Sequence, residues 1–136
     1  MVSQMVPIIV VDRDSDEPVY AQIARQIRAH ILSGELPPGT VLPGVRSIAS
    51  DLGVNLNTVA RAYRMLEDER FIIIRDRAGA TVAAPPEHPD DAAIEQLSRE
   101  LEVLLARLRQ AGLTPEELCR RIEHALSDSG KNAFHG

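Results

Sequence analysis

Aromatic residues are nearly missing from this sequence. They fill 3% of its 136 positions: two Tyr, two Phe and no Trp. Apolar residues nonetheless reach 44%, so any core must be built from Ile, Val, Leu and Ala. A single cysteine, Cys119, excludes an internal disulfide framework and a cysteine-rich zinc site. It falls beside an apolar helical stripe, and a buried, inert thiol is the default expectation; only Arg120 and Arg121 hint at a reactive one. His30, His88, His124 and His135 are scattered, and none meets another ligand at metal spacing, so no metal is expected. There is no nucleophile–base pair, phosphate loop or carboxylate pair, so neither an enzyme nor a cofactor is expected. No apolar run approaches the ~18 residues of a membrane span. Met1 to Val11 lacks the basic and extended apolar regions of a signal peptide. The expected location is cytoplasmic, with no membrane partner.

Positive charge is also in short supply. Fifteen Arg and Lys face twenty Asp and Glu, a net charge of −5, and Lys131 is the only Lys. That balance excludes a simple polycationic nucleic-acid binder but not a local basic surface. The charge is unevenly divided. Residues 1–84 carry nine basic and ten acidic side chains, whereas residues 85–136 carry six and ten.

Three pieces are visible along the chain. In the first, Ile8-Ile9-Val10-Val11 is β-branched and predicts a strand or an extended arm. Pro18 suits the start of a helix. Val19, Ile23, Ile27 and Ile31 recur every four residues and give that helix one apolar face. Ser33-Gly34 and Leu36-Pro37-Pro38-Gly39 end it. In the second, Pro43 opens a short helix with Val45, Ile48, Ala49 and Leu52 inward. Gly53 makes a tight turn and Asn55 caps the next helix, whose inward stripe is Val59, Ala62 and Leu66. Two short helices joined in this way predict a helix-turn-helix. Phe71–Ile74 and Ala80–Ala83 then predict two strands around a polar turn, a wing.

The third piece comes after the linker 85–90, stiffened by Pro85, Pro86 and Pro89. Ile94, Leu97, Leu101, Leu104 and Leu108 alternate spacings of three and four, the seam of a heptad repeat. After Gly112, Thr114-Pro115-Glu116-Glu117 starts a second helix with Leu118 and Ile122 on one side. So short a segment has little to bury itself against. The expectation is a homodimer joined through residues 91–127, with a flexible tail over 128–136. The alternative is a seam folded back on the first two pieces.

The order of motifs over about residues 7–84 resembles the GntR family of winged helix-turn-helix regulators. The resemblance rests on Pro18-Val19-Tyr20-Ala21-Gln22-Ile23, Gly34-Glu35-Leu36-Pro37-Pro38-Gly39, Leu42-Pro43-Gly44-Val45-Arg46-Ser47-Ile48-Ala49, Asn57-Thr58-Val59-Ala60-Arg61-Ala62-Tyr63 and Arg77-Ala78-Gly79-Ala80-Thr81-Val82. The Asn-Thr-Val-x-Arg-Ala-Tyr form and the short tail resemble the YtrA-type branch, since other branches carry much larger C-terminal domains. The implied fold is mainly α with a small β wing: a winged helix-turn-helix over 1–84 plus a short helical dimerisation tail. The implied function is a sequence-specific regulator, a homodimeric repressor on a palindromic double-stranded DNA operator, with an unidentified small-molecule effector as a further partner. Departures from the family pattern are Gly44 for a usual Ser, Leu56 for Arg or Pro, Arg70 and Arg77 for Gly, and Thr81 for Phe.

The DNA-facing residues are expected from how such motifs dock. The second helix of the pair enters the major groove by its N-terminal end, which here offers Asn55, Leu56, Asn57, Thr58 and Arg61. Asn pairs with adenine, Arg with guanine, and Leu or Thr touches a thymine methyl. Asn57 and Arg61 are expected at bases or phosphates and Arg64 at phosphate. Asn55 is equally readable as a cap, and Thr58 as structural. The resemblance implies that Arg46 reaches DNA; the alternative is an ion pair with Asp51 or Glu67. Arg75 and Arg77 flank the wing tip, where a cation can enter the minor groove. Tyr20 and Tyr63 are expected to pack. A protein-interaction module without specific DNA binding is the competing function.

Overall fold

The structure, a computed structural model, describes residues 7–76 and 79–131, with side chains described through residue 126. The chain divides into two compact units, Met1–Ala84 and Pro85–Gly136.

In the first unit, α1 (Val19–Leu32) begins after Pro18, which stands at the cap position. Its four-residue stripe works as the spacing predicts: Ile23 and Ile27 are fully buried, with Val19 and Ile31 packed beside them. After β1 (Val41–Leu42) come α2 (Val45–Leu52), α3 (Leu56–Asp68), β2 (Ile72–Ile74) and β3 (Ala80–Val82). The antiparallel sheet has the order β1-β3-β2, with Val41 opposite Thr81 and Ile73 opposite the same residue on the other side. The two-residue β1 has no counterpart in the sequence pattern. Pro43 does not open α2, which begins two residues later at Val45 with Gly44 as its cap. That cap offers no side-chain hydrogen bond, in keeping with the hydroxyl lost at this position. The core joins Ile23, Leu42, Ile48, Val59, Tyr63, Leu66, Ile72 and Val82 from all six elements.

Residues 8–11 form an extended arm, not a strand. Side chains of α1 take the place of a neighbouring strand. Gln26 accepts from the Val10 N–H (2.9 Å) and donates to the Val10 carbonyl (2.7 Å). The buried Gln22 does the same for Asp12, at 2.8 Å both ways. His30 Nε2 donates to the Ile8 carbonyl at 3.0 Å. The match is geometric. Four helical residues rise about 6 Å, and two extended residues rise about 6.6 Å. Positions 22, 26 and 30 therefore fall opposite 12, 10 and 8.

Three helices close on one hydrogen-bond pattern. In α2, Gly53 N–H bonds to Ser50 and Val54 N–H to Ala49; in α3, Arg70 bonds to Glu67 and Phe71 to Leu66. In α4 (Asp91–Gln110), Gly112 bonds to Arg109 and Leu113 to Leu108. The pivotal residue must be left-handed, with φ of 67° at Gly53, 113° at Gly112 and 68° at Arg70. Only α3 makes this turn without glycine. A side chain there costs about 1 kcal/mol or more. Arg70→Gly is therefore expected to stabilise the winged unit by about 1 kcal/mol and to raise its thermal midpoint by about 4 °C. A lower midpoint in a calorimetric scan would show that contacts of the Arg side chain outweigh the strain.

The second unit holds α4 and α5 (Pro115–Lys131). Asp90 caps α4 by accepting from the Ala93 N–H. Asp91 lies at its positive end, and Arg107 and Arg109 at its negative end. Thr114 Oγ1 accepts from the Glu117 N–H and starts α5. This helix continues past Ser127 to Lys131, into the stretch expected to be a tail. No residue of α4 is buried. The seam side chains Ile94, Leu97, Leu101, Leu104 and Leu108 are 40–61% exposed, and Ile122 of α5 is 42% exposed. Leu118 differs, being 7% exposed within the single chain. Cys119, expected to be buried, is exposed; one residue along a helix turns about 100° away from the face that Leu118 buries.

Candidate nucleic-acid interface

The face that α3 buries decides the face that it offers. Val59, Ala62, Tyr63 and Leu66 point inward. Leu56, Asn57, Arg61 and Arg64 are consequently exposed, and Thr58 is half-buried. Asn55 is the cap: its side chain accepts from the Asn57 N–H at 2.7 Å. Its carboxamide nitrogen is left for other partners. The Tyr63 hydroxyl donates to the Pro43 carbonyl and ties α3 to the entrance of α2. Burial pushes the Tyr63 phenol well above its usual range, so it stays a donor. Both tyrosines pack as expected, Tyr63 in the core and Tyr20 half-buried against it.

Arg46 is exposed in the first turn of α2. Among the described residues it makes an ion pair with neither Asp51 nor Glu67. The Glu67 carboxylate instead accepts from the Ile74 N–H at 2.9 Å and holds the wing to the end of α3. Arg61 has a partner that the sequence did not suggest. Its guanidinium lies 3.8 Å from the centre of the Tyr20 ring. A stacked guanidinium keeps its in-plane N–H donors free for a phosphate or a base edge. The stack thus holds Arg61 in place without using up its hydrogen bonds.

At the wing, the Arg75 N–H bonds to the Gly79 carbonyl at 2.7 Å, and Asp76 takes a left-handed φ of 46°. Arg75 is exposed; Arg77 lies outside the described residues. Gly79, at φ 96°, lies against the connection between β1 and α2. A Cβ there would strike the Leu42 carbonyl oxygen and come within 3.2 Å of Gly44 N and Pro43 C.

Sequence reasoning overlooked one cation. Arg13 Nη2 donates to the Gly53 carbonyl at 2.7 Å, across forty residues. The available signal was a lone Arg in an otherwise acidic run, Asp12 to Glu17.

A helix-turn-helix with an exposed, Arg-bearing second helix and a two-stranded wing defines a winged-helix DNA-binding protein. Residues 19–82 match the family described as bacterial regulatory proteins, gntR family. The chain is 37% identical over 118 residues to the HTH-type transcriptional regulator Rv1152 of Mycobacterium tuberculosis, covering 87% of this chain and 93% of that protein. It is 30% identical over 125 residues to the HTH-type transcriptional repressor YtrA of Bacillus subtilis, covering 89% and 94%. Among solved structures, YtrA from Sulfolobus acidocaldarius, a GntR-family transcription factor, is 36% identical with a TM-score of 0.61, over 88% of this chain and 97% of that one. The chain belongs to the GntR family and to its YtrA-type branch, and it is a DNA-binding transcriptional regulator, not an enzyme. No helix among the described residues is long and apolar enough to cross a membrane.

Proposed function

We propose that this chain is a homodimeric repressor that binds a palindromic operator through α3 and the wing. The observation that carries the DNA surface is the outward face of α3, where Leu56, Asn57, Arg61 and Arg64 are exposed together above a fully used inward face. Asn57 and Arg61 read base edges or phosphates, and Leu56 meets a thymine methyl. Asn55 and Thr58 shape the helix start beside them. Arg46, Arg64 and one of Arg75 and Arg77 take phosphate or the minor groove. The repressor reading is supported by the Bacillus subtilis relative, which is named a repressor and is matched over 94% of its length.

The dimer is supported by the open seam. Monomeric proteins rarely leave so contiguous an apolar stripe in water, and a two-fold pair is the commonest way to close one. Ile94, Leu97, Leu101, Leu104, Leu108 and Ile122 supply the contact surface, whereas Leu118 is already buried within the single chain. Two winged units related by a two-fold axis read two half-sites of opposite orientation.

Sites selected from random duplexes give the probe for a test. Arg46→Ala and Arg61→Ala are each expected to weaken binding to the selected site by about tenfold or more. Parent-like affinity of either variant in a gel-shift titration would remove that residue from the interface. The selected sites are expected to be palindromic; a single asymmetric half-site would count against the dimer.

A further inference from the structure

Arg13 is a cation of the N-terminal arm, outside α2, α3 and the strands of the wing. The arm around it is acidic, with Asp12, Asp14, Asp16 and Glu17 as its neighbours. Two of these are engaged elsewhere: Asp12 accepts from the Asp14 N–H, and Glu17 pairs with Arg25, which holds its carboxyl below the usual range. Arg13 forms no ion pair with a carboxylate among the described residues. It leaves its neighbours and puts its guanidinium on the carbonyl of Gly53, the residue that makes the turn of the helix-turn-helix. One of its five donors is accounted for there. The arm cannot carry the group elsewhere easily, because Asp12 is fixed to Gln22 through both its N–H and its carbonyl.

The place matters because it adjoins the start of α3. Two residues after Gly53, Asn55 caps that helix, and the N-terminal end of such a helix stands between the phosphate walls of the major groove. A cation fixed at that turn is at the groove edge, next to the positive end of the helix dipole. We propose that Arg13 is a DNA phosphate contact supplied by the N-terminal arm, outside both the helix-turn-helix and the wing. The Gly53 carbonyl positions the guanidinium, and its remaining donors take a phosphate oxygen. This rests on the proposed docking of α3 in the major groove.

The test uses the full chain and the duplex that the parent selects, with affinity measured over a range of salt. Each phosphate contact contributes about one to the slope of log affinity against log salt. Arg13→Gln keeps a hydrogen-bond donor and loses the charge. It is expected to bind ~3–10-fold more weakly at low salt, with a slope shallower by about one. Arg13→Lys keeps the charge and is expected to keep the parent slope. Arg25→Ala, a cation paired on α1, is the control with an unchanged slope. Weaker binding of Arg13→Gln at an unchanged slope would mean that Arg13 only braces the turn, and would overturn the proposal. So would parent-like binding at every salt concentration. If the parent selects no duplex at all, the DNA surface itself is wrong, a failure distinct from an Arg13 variant that binds like its parent.

Discussion

Gly79→Ala is expected to destabilise the winged unit by about 3 kcal/mol, the sum of left-handed strain and an over-packed contact. Both causes act at one atom. The φ of 96° already disfavours any L side chain, and the added methyl would collide with the Leu42 carbonyl oxygen. That oxygen cannot step aside, because Leu42 is paired to Ala80 in the sheet and its side chain is fully buried. A unit of this size has roughly 4–13 kcal/mol in hand, so the loss is a large part of its stability. Gly39→Ala provides the internal comparison. Gly39 has a similar φ of 89°, yet a Cβ there meets nothing within 4 Å. It is expected to cost only the strain, about 1–2 kcal/mol. Urea unfolding of the two variants separates strain from collision; equal losses would mean that the wing base is not pressed against β1.

The second large effect is expected in the seam. Leu101→Glu with Leu104→Glu places two charges on the stripe that a second chain would cover. Both positions are half exposed in the single chain, at 53% and 50%, so the winged unit should unfold at its parent temperature. Sedimentation is expected to show dimers for the parent and monomers for the variant. Operator affinity should fall by about 10²–10⁴, the advantage that linking two reading heads confers. A variant that remains dimeric would place the subunit contact elsewhere. A monomer with undiminished affinity would mean that one winged unit suffices for the site.

The helices were legible because their signals are local. The spacing of Val19, Ile23, Ile27 and Ile31 predicts α1, Gly53 and Asn55 mark the two sides of the turn, and Thr114-Pro115 starts α5. The wing strands show as β-branched runs. What escaped depends on partners distant in the sequence. Val41–Leu42 is too short to carry a pattern and becomes a strand only because Ala80 and Thr81 arrive beside it. The arm has strand composition but pairs with Gln22, Gln26 and His30, polar residues whose spacing coincides with helical rise. Cys119 was placed by its neighbours in sequence, one position too close to the face that Leu118 occupies. For the candidate DNA surface, the α3 residues came from the expectation that the N-terminal end of that helix enters the major groove. The Tyr20–Arg61 stack and the reach of Arg13 to Gly53 did not, since each joins residues forty or so positions apart.

The open stripe on α4 has a consequence for dosage. If only a second copy covers it, the species that grips an operator is formed by two chains meeting. While most chains are still single, the amount of that species rises with the square of the chain concentration. Halving the protein in a cell would then leave about a quarter of the active species. Occupancy of the operator would thus respond steeply to how much of the chain is made, before any small molecule acts on it.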